Sequence, residues 1–384
     1  MMLMKKILIL VVVLSIGTFL GGSSSWAKDP YKIGFTGPLT GPAAYMGDVN
    51  KKTVLMIAEQ INAAGGIDGH PIEIIVYDSE NKPDTTVQVF NRLIKKDEVL
   101  VIVGPTTSIE AMAALPIAEQ TKTPTVMPVG TSEVVKPIRK YVFKTPISEA
   151  DAVAKDLDYL KEKNLTRIAV VTSQDGYGEA GREAIEKLAP AKGIEIILKE
   201  KVSFEDKDMT PIVFKVKRSG AQALLEWTHL RPSVILTRNI KQVGLDIPVI
   251  CSFGAVQDAW VKAVGVEAAE GKMGATYKFM DAESLPDNDP QKPVILKYQK
   301  TFFEKYGENP IQFGANAYDA MHIIIMALKK AGPNKEKIRN AIEETKNYIG
   351  AGAIFNFSPT SHDPSGEKNI VMYKVVKGKW IVLK

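Results

Sequence analysis

The sequence predicts an α/β fold of two lobes, each built around a parallel-rich central sheet. Three observations carry this. Short β-branched runs alternate with amphipathic stretches, the pattern of βα units wrapped on a parallel sheet. That alternation starts twice, once after Lys28 and again near Arg167. The run 99–103 is almost wholly apolar, as a strand covered on both faces must be. At 384 residues the chain is long enough for two domains.

Taken in order, residues 31–35 read as a strand broken by Gly37-Pro38 and Gly41-Pro42. A helix over 45–64 places Val54, Ala58 and Ile61 on one face and stops at Gly65-Gly66. A strand over 72–77, a helix from Asp84, the apolar strand 99–103, a helix from Ser108 and a short strand 125–127 complete the first set. Residues 141–146, YVFKTP, read as an extended linker ended by proline. The second set has strands at 167–172, 194–202, 221–226 and 248–251, with helices at 178–188, 210–218 and 233–243. Helical patterns return at 293–306, 313–330 and 335–346, and strands close the chain at 371–376 and 380–383.

The first residues have the make-up of an export leader. Lys5 and Lys6 form a basic n-region, residues 7–20 an apolar stretch, and Ser25-Trp26-Ala27 a small-x-Ala cleavage signature, so cleavage after Ala27 is expected. The apolar stretch is shorter than the roughly 20 residues that span a bilayer, and no lipid-acceptor cysteine follows it. The expectation is a free periplasmic protein with no stable membrane insertion.

Charge and cysteine content exclude several classes. There are 49 basic and 44 acidic residues, a balance of +5 that falls to +3 without Lys5 and Lys6, too small for a nucleic-acid binder. The lone cysteine, Cys251, forms no intrachain disulfide and no CxxC pair. Phosphate-loop, nucleophile-elbow and HExxH signatures are missing, and His70, His229, His322 and His362 sit singly. Neither an enzyme nor a cofactor or metal is expected.

Seven segments, in order, carry a resemblance. IGFTGPLTGPAAYMGD (33–48), INAAGGIDG (61–69), YDSENKPDTTV (77–87), VGPTTS (103–108), QDGYGE (174–179), EAAEG (267–271) and NAYDA (316–320) resemble the periplasmic solute-binding proteins of branched-chain amino acid ABC importers. The resemblance implies the type I periplasmic-binding fold: two Rossmann-like lobes joined by a three-segment hinge, with one ligand in the cleft. Lobe 1 is then residues 28–145 plus 280–352, and lobe 2 is 146–279 plus 353–384. It also implies a receptor that closes by hinge motion, most simply a monomer, with importer permease subunits as its partners.

Elementary physics also favours a cleft site. Ligands of open α/β sheets bind beyond the carboxyl ends of the strands, where helix N-termini attract anions. The loops 103–108 and 128–132 fit that description. The resemblance assigns Ser108 and Thr131 to a ligand carboxylate, with Thr107 beside them and Gly130 giving close backbone approach. The competing reading is helix capping, because Thr107-x-x-Glu110 is a capping box. Tyr177, read as a loop residue of QDGYGE, matches the family's cleft tyrosine, or is a surface turn residue. Asp319 of NAYDA reads as structural.

The ligand is where the sequence departs from the family. Phe253 stands where amino acid binders usually carry an acid for the ammonium, and an unpaired buried ammonium would cost several kcal/mol. Met46, with Tyr45 beside it, stands where an aromatic is common. This favours a carboxylate without an ammonium, its body against Phe253, Tyr177 and Trp227, unless Trp227 is core; Glu226, Asp258 and Asp281 are the acids that would instead serve an amino acid. The expected function is capture of a small, partly apolar carboxylate, amino acid or otherwise, for an ABC importer. The alternative is a sensor feeding a signalling partner.

Overall fold

The computed structural model describes residues 28–364 and 366–383. The leader expected at residues 1–27 lies outside the described residues.

The first sheet has five parallel strands: β1 (Tyr31–Gly37), β2 (Ile72–Asp78), β3 (Val101–Val103), β4 (Thr125–Met127) and β5 (Val142–Lys144), in the order β2-β1-β3-β4-β5. Its crossovers are α1 (Ala44–Ala63), α2 (Pro83–Lys95) and α3 (Ser108–Gln120). Parallel neighbours cannot be joined by a hairpin, so three of the crossovers run through a helix. The expected linker 141–146 is in large part β5. Val142 and Phe143 are fully buried and pair with β4, so burial of the apolar pair outweighs the proline signal at 146.

The second sheet has seven strands in the order β14-β13-β10-β9-β8-β6-β7: β6 (Arg167–Ser173), β7 (Glu195–Val202), β8 (Ala223–Trp227), β9 (Val249–Cys251), β10 (Met273–Tyr277), β13 (Ile370–Val376) and β14 (Lys379–Val382). Its helices are α4 (Glu149–Glu162), α5 (Gly176–Ala191), α6 (Thr210–Ser219), α7 (Leu230–Val243), α8 (Asp258–Val264) and α9 (Val266–Ala269). The closing strands β13 and β14 pair antiparallel, β13 directly against β10. β10 is absent from the sequence reading because MGATY lacks a β-branched alternation. Its Gly274 is required by packing, since a Cβ there would lie 2.6 Å from the Cys251 carbonyl oxygen. Helix α4 was also missed; Ser148 caps it, its hydroxyl accepting from the Asp151 N–H at 3.2 Å.

Three more helices, α10 (Lys292–Tyr306), α11 (Gln312–Ala331) and α12 (Lys335–Glu343), precede the small hairpin of β11 (Tyr348–Ile349) and β12 (Ile354–Phe355). Helix α11 packs on α1 and α12 and buries Ala315, Ala317, Ala320, Met321, Ile323 and Ile324. Its Asp319 is fully buried and accepts the N–H groups of Ala351, Gly352 and Ala353 at 2.7, 2.8 and 3.2 Å. Gly350 and Gly352 make room for this, because a Cβ at either would run into the carboxylate. Asp319 thus pins the turn 350–353 between β11 and β12. An amide at this position would set its own N–H groups against backbone donors. Asp319→Asn is expected to lower stability by about 2–4 kcal/mol, read from the urea midpoint.

Candidate functional site

Both sheets end their parallel strands in loops that open helices. On the first sheet β3 runs into Thr107 and Ser108 at the start of α3. Thr107 is occupied: its hydroxyl lies 2.8 Å from both Asn81 Oδ1 and Glu110 Oε2, and Glu110 also accepts its N–H at 3.2 Å. The capping box is therefore formed, and Glu110 is fixed in turn by the Ser79 hydroxyl. Ser108, one residue on, is exposed, and its hydroxyl makes no hydrogen bond among the described residues. On the adjacent strand, β4 runs into Gly130 and Thr131. Thr131 Oγ1 accepts the Glu133 N–H at a long 3.3 Å and caps a single 3₁₀ turn, Ser132–Val134. The N–H groups of Gly130 and Thr131 have no protein acceptor among the described residues, and the space above Gly130 is open.

On the second sheet the structure brings the expected aromatics together. Tyr177 is the second residue of α5, not a loop residue, because Asp175 caps that helix by accepting the Gly178 N–H at 2.9 Å. Its ring stacks on Trp227 at 5.7 Å and meets Phe253 edge-on at 5.6 Å, and Phe253 meets Trp227 at 5.4 Å. Trp227 is fully buried, with α5 so close that a Cβ on Gly181 would come within 2.1 Å of the indole. It therefore backs the wall and presents no surface to a ligand; Tyr177 and Phe253, both partly exposed, form the face. The Tyr177 hydroxyl lies near Ser252 and Gly254 but has no hydrogen-bond partner among the described residues, and desolvation holds its pKa well above the phenol range. Tyr45 is 56% exposed, packed edge-on against Phe313 at 5.9 Å, and Met46 is half-buried behind it.

Three residues at the site were missed by sequence reasoning. His229 packs tilted against Tyr177 at 4.8 Å and pairs through Nε2 with Asp175 at 2.8 Å. Glu149, 5% exposed at the start of α4, accepts the Ser132 hydroxyl at 3.0 Å and so links the Thr131 loop to the second lobe. Its charge reaches Tyr177, where it adds to the rise in pKa. Lys144, fully buried at the end of β5, donates to the Gly130 carbonyl at 2.7 Å. A lone lysine or glutamate in an unremarkable segment gives no local signal; only the pairing of β5 with β4 puts them here.

Glu226, one of the acids considered for a ligand ammonium, is engaged by protein donors. It is fully buried, accepting the Thr228 and Ser233 hydroxyls at 2.5 and 2.6 Å, and the Ser233 oxygen takes the Trp260 indole N–H at 2.8 Å. Asp258 is exposed at the start of α8 and Asp281 is half-buried in the turn after β10.

Two α/β sheets, one presenting free N–H groups and hydroxyls at its strand ends and the other an aromatic wall, give the two-lobed architecture of a solute-binding receptor. The chain belongs to the periplasmic binding protein family, whose model matches residues 30–379. It is 29% identical over 325 residues to the leucine-, isoleucine-, valine-, threonine- and alanine-binding protein of Pseudomonas aeruginosa, covering 83% of this chain and 84% of that one. It is 26% identical over 346 residues to a Leu/Ile/Val-binding protein homolog of Brucella melitensis, covering 88% and 90%. Among solved structures, an extracellular ligand-binding receptor from Rhodopseudomonas palustris superposes with a TM-score of 0.82 at 22% identity, covering 92% of this chain and 99% of that one. A branched-chain amino acid transporter substrate-binding protein from Streptococcus pneumoniae, in complex with isoleucine, superposes at 0.78 with 23% identity and the same coverage. No helix among the described residues is long and apolar enough to cross a membrane.

Burial raises the pKa of Glu226 to about 7 against the two hydroxyl donors. An acid whose folded pKa lies above its unfolded one binds more protons when folded, so its contribution is lost as pH rises from about 4.5 to 7. Glu226→Gln removes that loss. Its stability relative to wild type is expected to improve by about 2–4 kcal/mol between pH 4.5 and pH 8, in paired denaturation curves.

Proposed function

We propose that the protein is an extracytoplasmic receptor that captures a small, partly apolar carboxylate between its lobes, closes on it and delivers it to an ABC importer. The observation that carries this is the opposition of two chemistries at the strand ends. Ser108, Gly130 and Thr131 offer uncommitted donors to an anion, and Tyr177 and Phe253 offer a ring face to an apolar body. The lobes that move are residues 28–145 plus 280–352 and residues 146–279 plus 353–384. The working form is a monomer outside the cytoplasm, freed by cleavage after Ala27, and its partners are the permease subunits.

We read the ligand as an amino acid, because Glu149 supplies beside Thr131 the acid that Phe253 fails to supply, and because the curated relatives are named for amino acids. The second reading, a carboxylate without an ammonium, is favoured by Phe253 itself and by the sequestration of Glu226.

Calorimetry with leucine and with its deaminated analogue 4-methylpentanoate separates the two. Leucine binds and Glu149→Gln weakens it on the first reading; the analogue binds as well or better on the second. Small-angle scattering on the same samples should show a smaller radius of gyration at saturation, and an unchanged radius counts against closure.

Ser108→Ala and Thr131→Ala are each expected to weaken binding by about 1–3 kcal/mol, since each leaves a desolvated carboxylate oxygen short of a partner. Normal binding by both variants would show the cleft site misplaced, and a lower melting temperature of Thr131→Ala alone would then assign its hydroxyl to capping the Ser132–Val134 turn.

A further inference from the structure

Lys144 is a fully buried lysine that the ligand reading above does not use. The register of β5 against β4 sets Lys144 opposite Met127, at the carboxyl edge where β4 turns into the Gly130–Thr131 loop. From there its ammonium donates to the Gly130 carbonyl at 2.7 Å and, more loosely, to the Ile147 carbonyl at 3.4 Å. Both acceptors are main-chain carbonyls, and no carboxylate lies within ion-pair distance of it among the described residues. A buried charge with so little compensation is costly, so its presence needs a reason.

The Gly130–Thr131 peptide is trans. In a trans peptide the carbonyl and the following N–H point in opposite directions. An ammonium that draws the Gly130 oxygen inward therefore turns the Thr131 N–H the opposite way, outward. That N–H has no protein acceptor among the described residues. Polarisation acts in the same sense, because a cation on a carbonyl oxygen strengthens the N–H of the same peptide as a donor.

We propose that Lys144 is the positioning residue of the anion-binding loop: it holds the Gly130–Thr131 peptide with its N–H toward the ligand carboxylate and sets a positive charge behind it. This rests on the ligand site described above. Burial lowers the ammonium's pKa; the charges of Glu149, Asp363 and Asp151 oppose that shift and Lys136 adds to it.

The test uses the full chain and its Lys144→Met and Lys144→Arg variants, titrated with leucine and leucinamide and with 4-methylpentanoate and 4-methylpentanamide. For whichever acid the wild type binds, Lys144→Met is expected to lower the acid-to-amide affinity ratio at least about tenfold, and Lys144→Arg to restore most of it. An unchanged ratio overturns the assignment, including the case where Lys144→Met melts lower yet binds the acid normally. Ser108→Ala and Thr131→Ala run alongside separate the two levels. If they too bind normally, the cleft site is misplaced; if they lose affinity while Lys144→Met does not, only the role of Lys144 fails. A second measurement needs neither a ligand nor the methionine variant. In ligand-free ¹⁵N-labelled protein, Lys144→Arg should shift the Thr131 amide resonance more than those of Val126 and Met127, and an unmoved Thr131 signal overturns the proposal.

Discussion

Parallel strand pairing is the constraint on which the rest of this structure depends. A parallel neighbour can be reached only by crossing back over the sheet, usually through a helix, so successive strand-to-helix loops emerge at one edge. In the first sheet that edge carries the loops after β1, β3 and β4; in the second it carries those after β6, β8 and β9. Residues as distant in sequence as Ser108 and Thr131, or Tyr177 and Phe253, become neighbours because of this rule and not through any local preference. The helix N-termini at the same edge bring unpaired N–H groups with them.

Buried polar groups fix several of the loops around the two sheets. Asp319 gathers three N–H groups of the segment 351–353, the Ser132 hydroxyl reaches Glu149, and Lys144 holds the Gly130 carbonyl. Each group is expensive to bury alone and much less so when its partners are in place. Such contacts are geometrically exacting in a way that apolar packing is not. They fix where the chain crosses and leave the aromatic wall to adapt to the body of a ligand.

The wall itself shows how an apolar cluster and a polar one divide the labour. Trp227 is locked between α5 and Phe253 with no exposed surface, and Gly181 is the residue that permits this approach. Tyr177 and Phe253 stand in front of it. Next to the wall, Glu226 is fully buried and satisfied by the Thr228 and Ser233 hydroxyls. The acid whose charge does reach Tyr177 from a distant segment is Glu149, at the start of α4.

The sequence by itself determined the two βα sets, most element positions and the loops after β3 and β4, because hydrophobic period and strand–loop–helix grammar are local properties. Ser108, Thr131 and Tyr177 were singled out by the family resemblance, as parts of ordered motifs at strand ends. The sequence did not reveal β10, whose small residues carry no alternation, or that 142–144 is an edge strand. It also left Trp227 undecided, since every residue of β8 is buried and its pattern cannot say which side chains reach a cleft. Glu149, Lys144 and His229 were decided by tertiary structure alone. Their roles come from partners far off in the chain, set by strand register and helix packing, and a desolvated charge gains its meaning only from the groups that surround it.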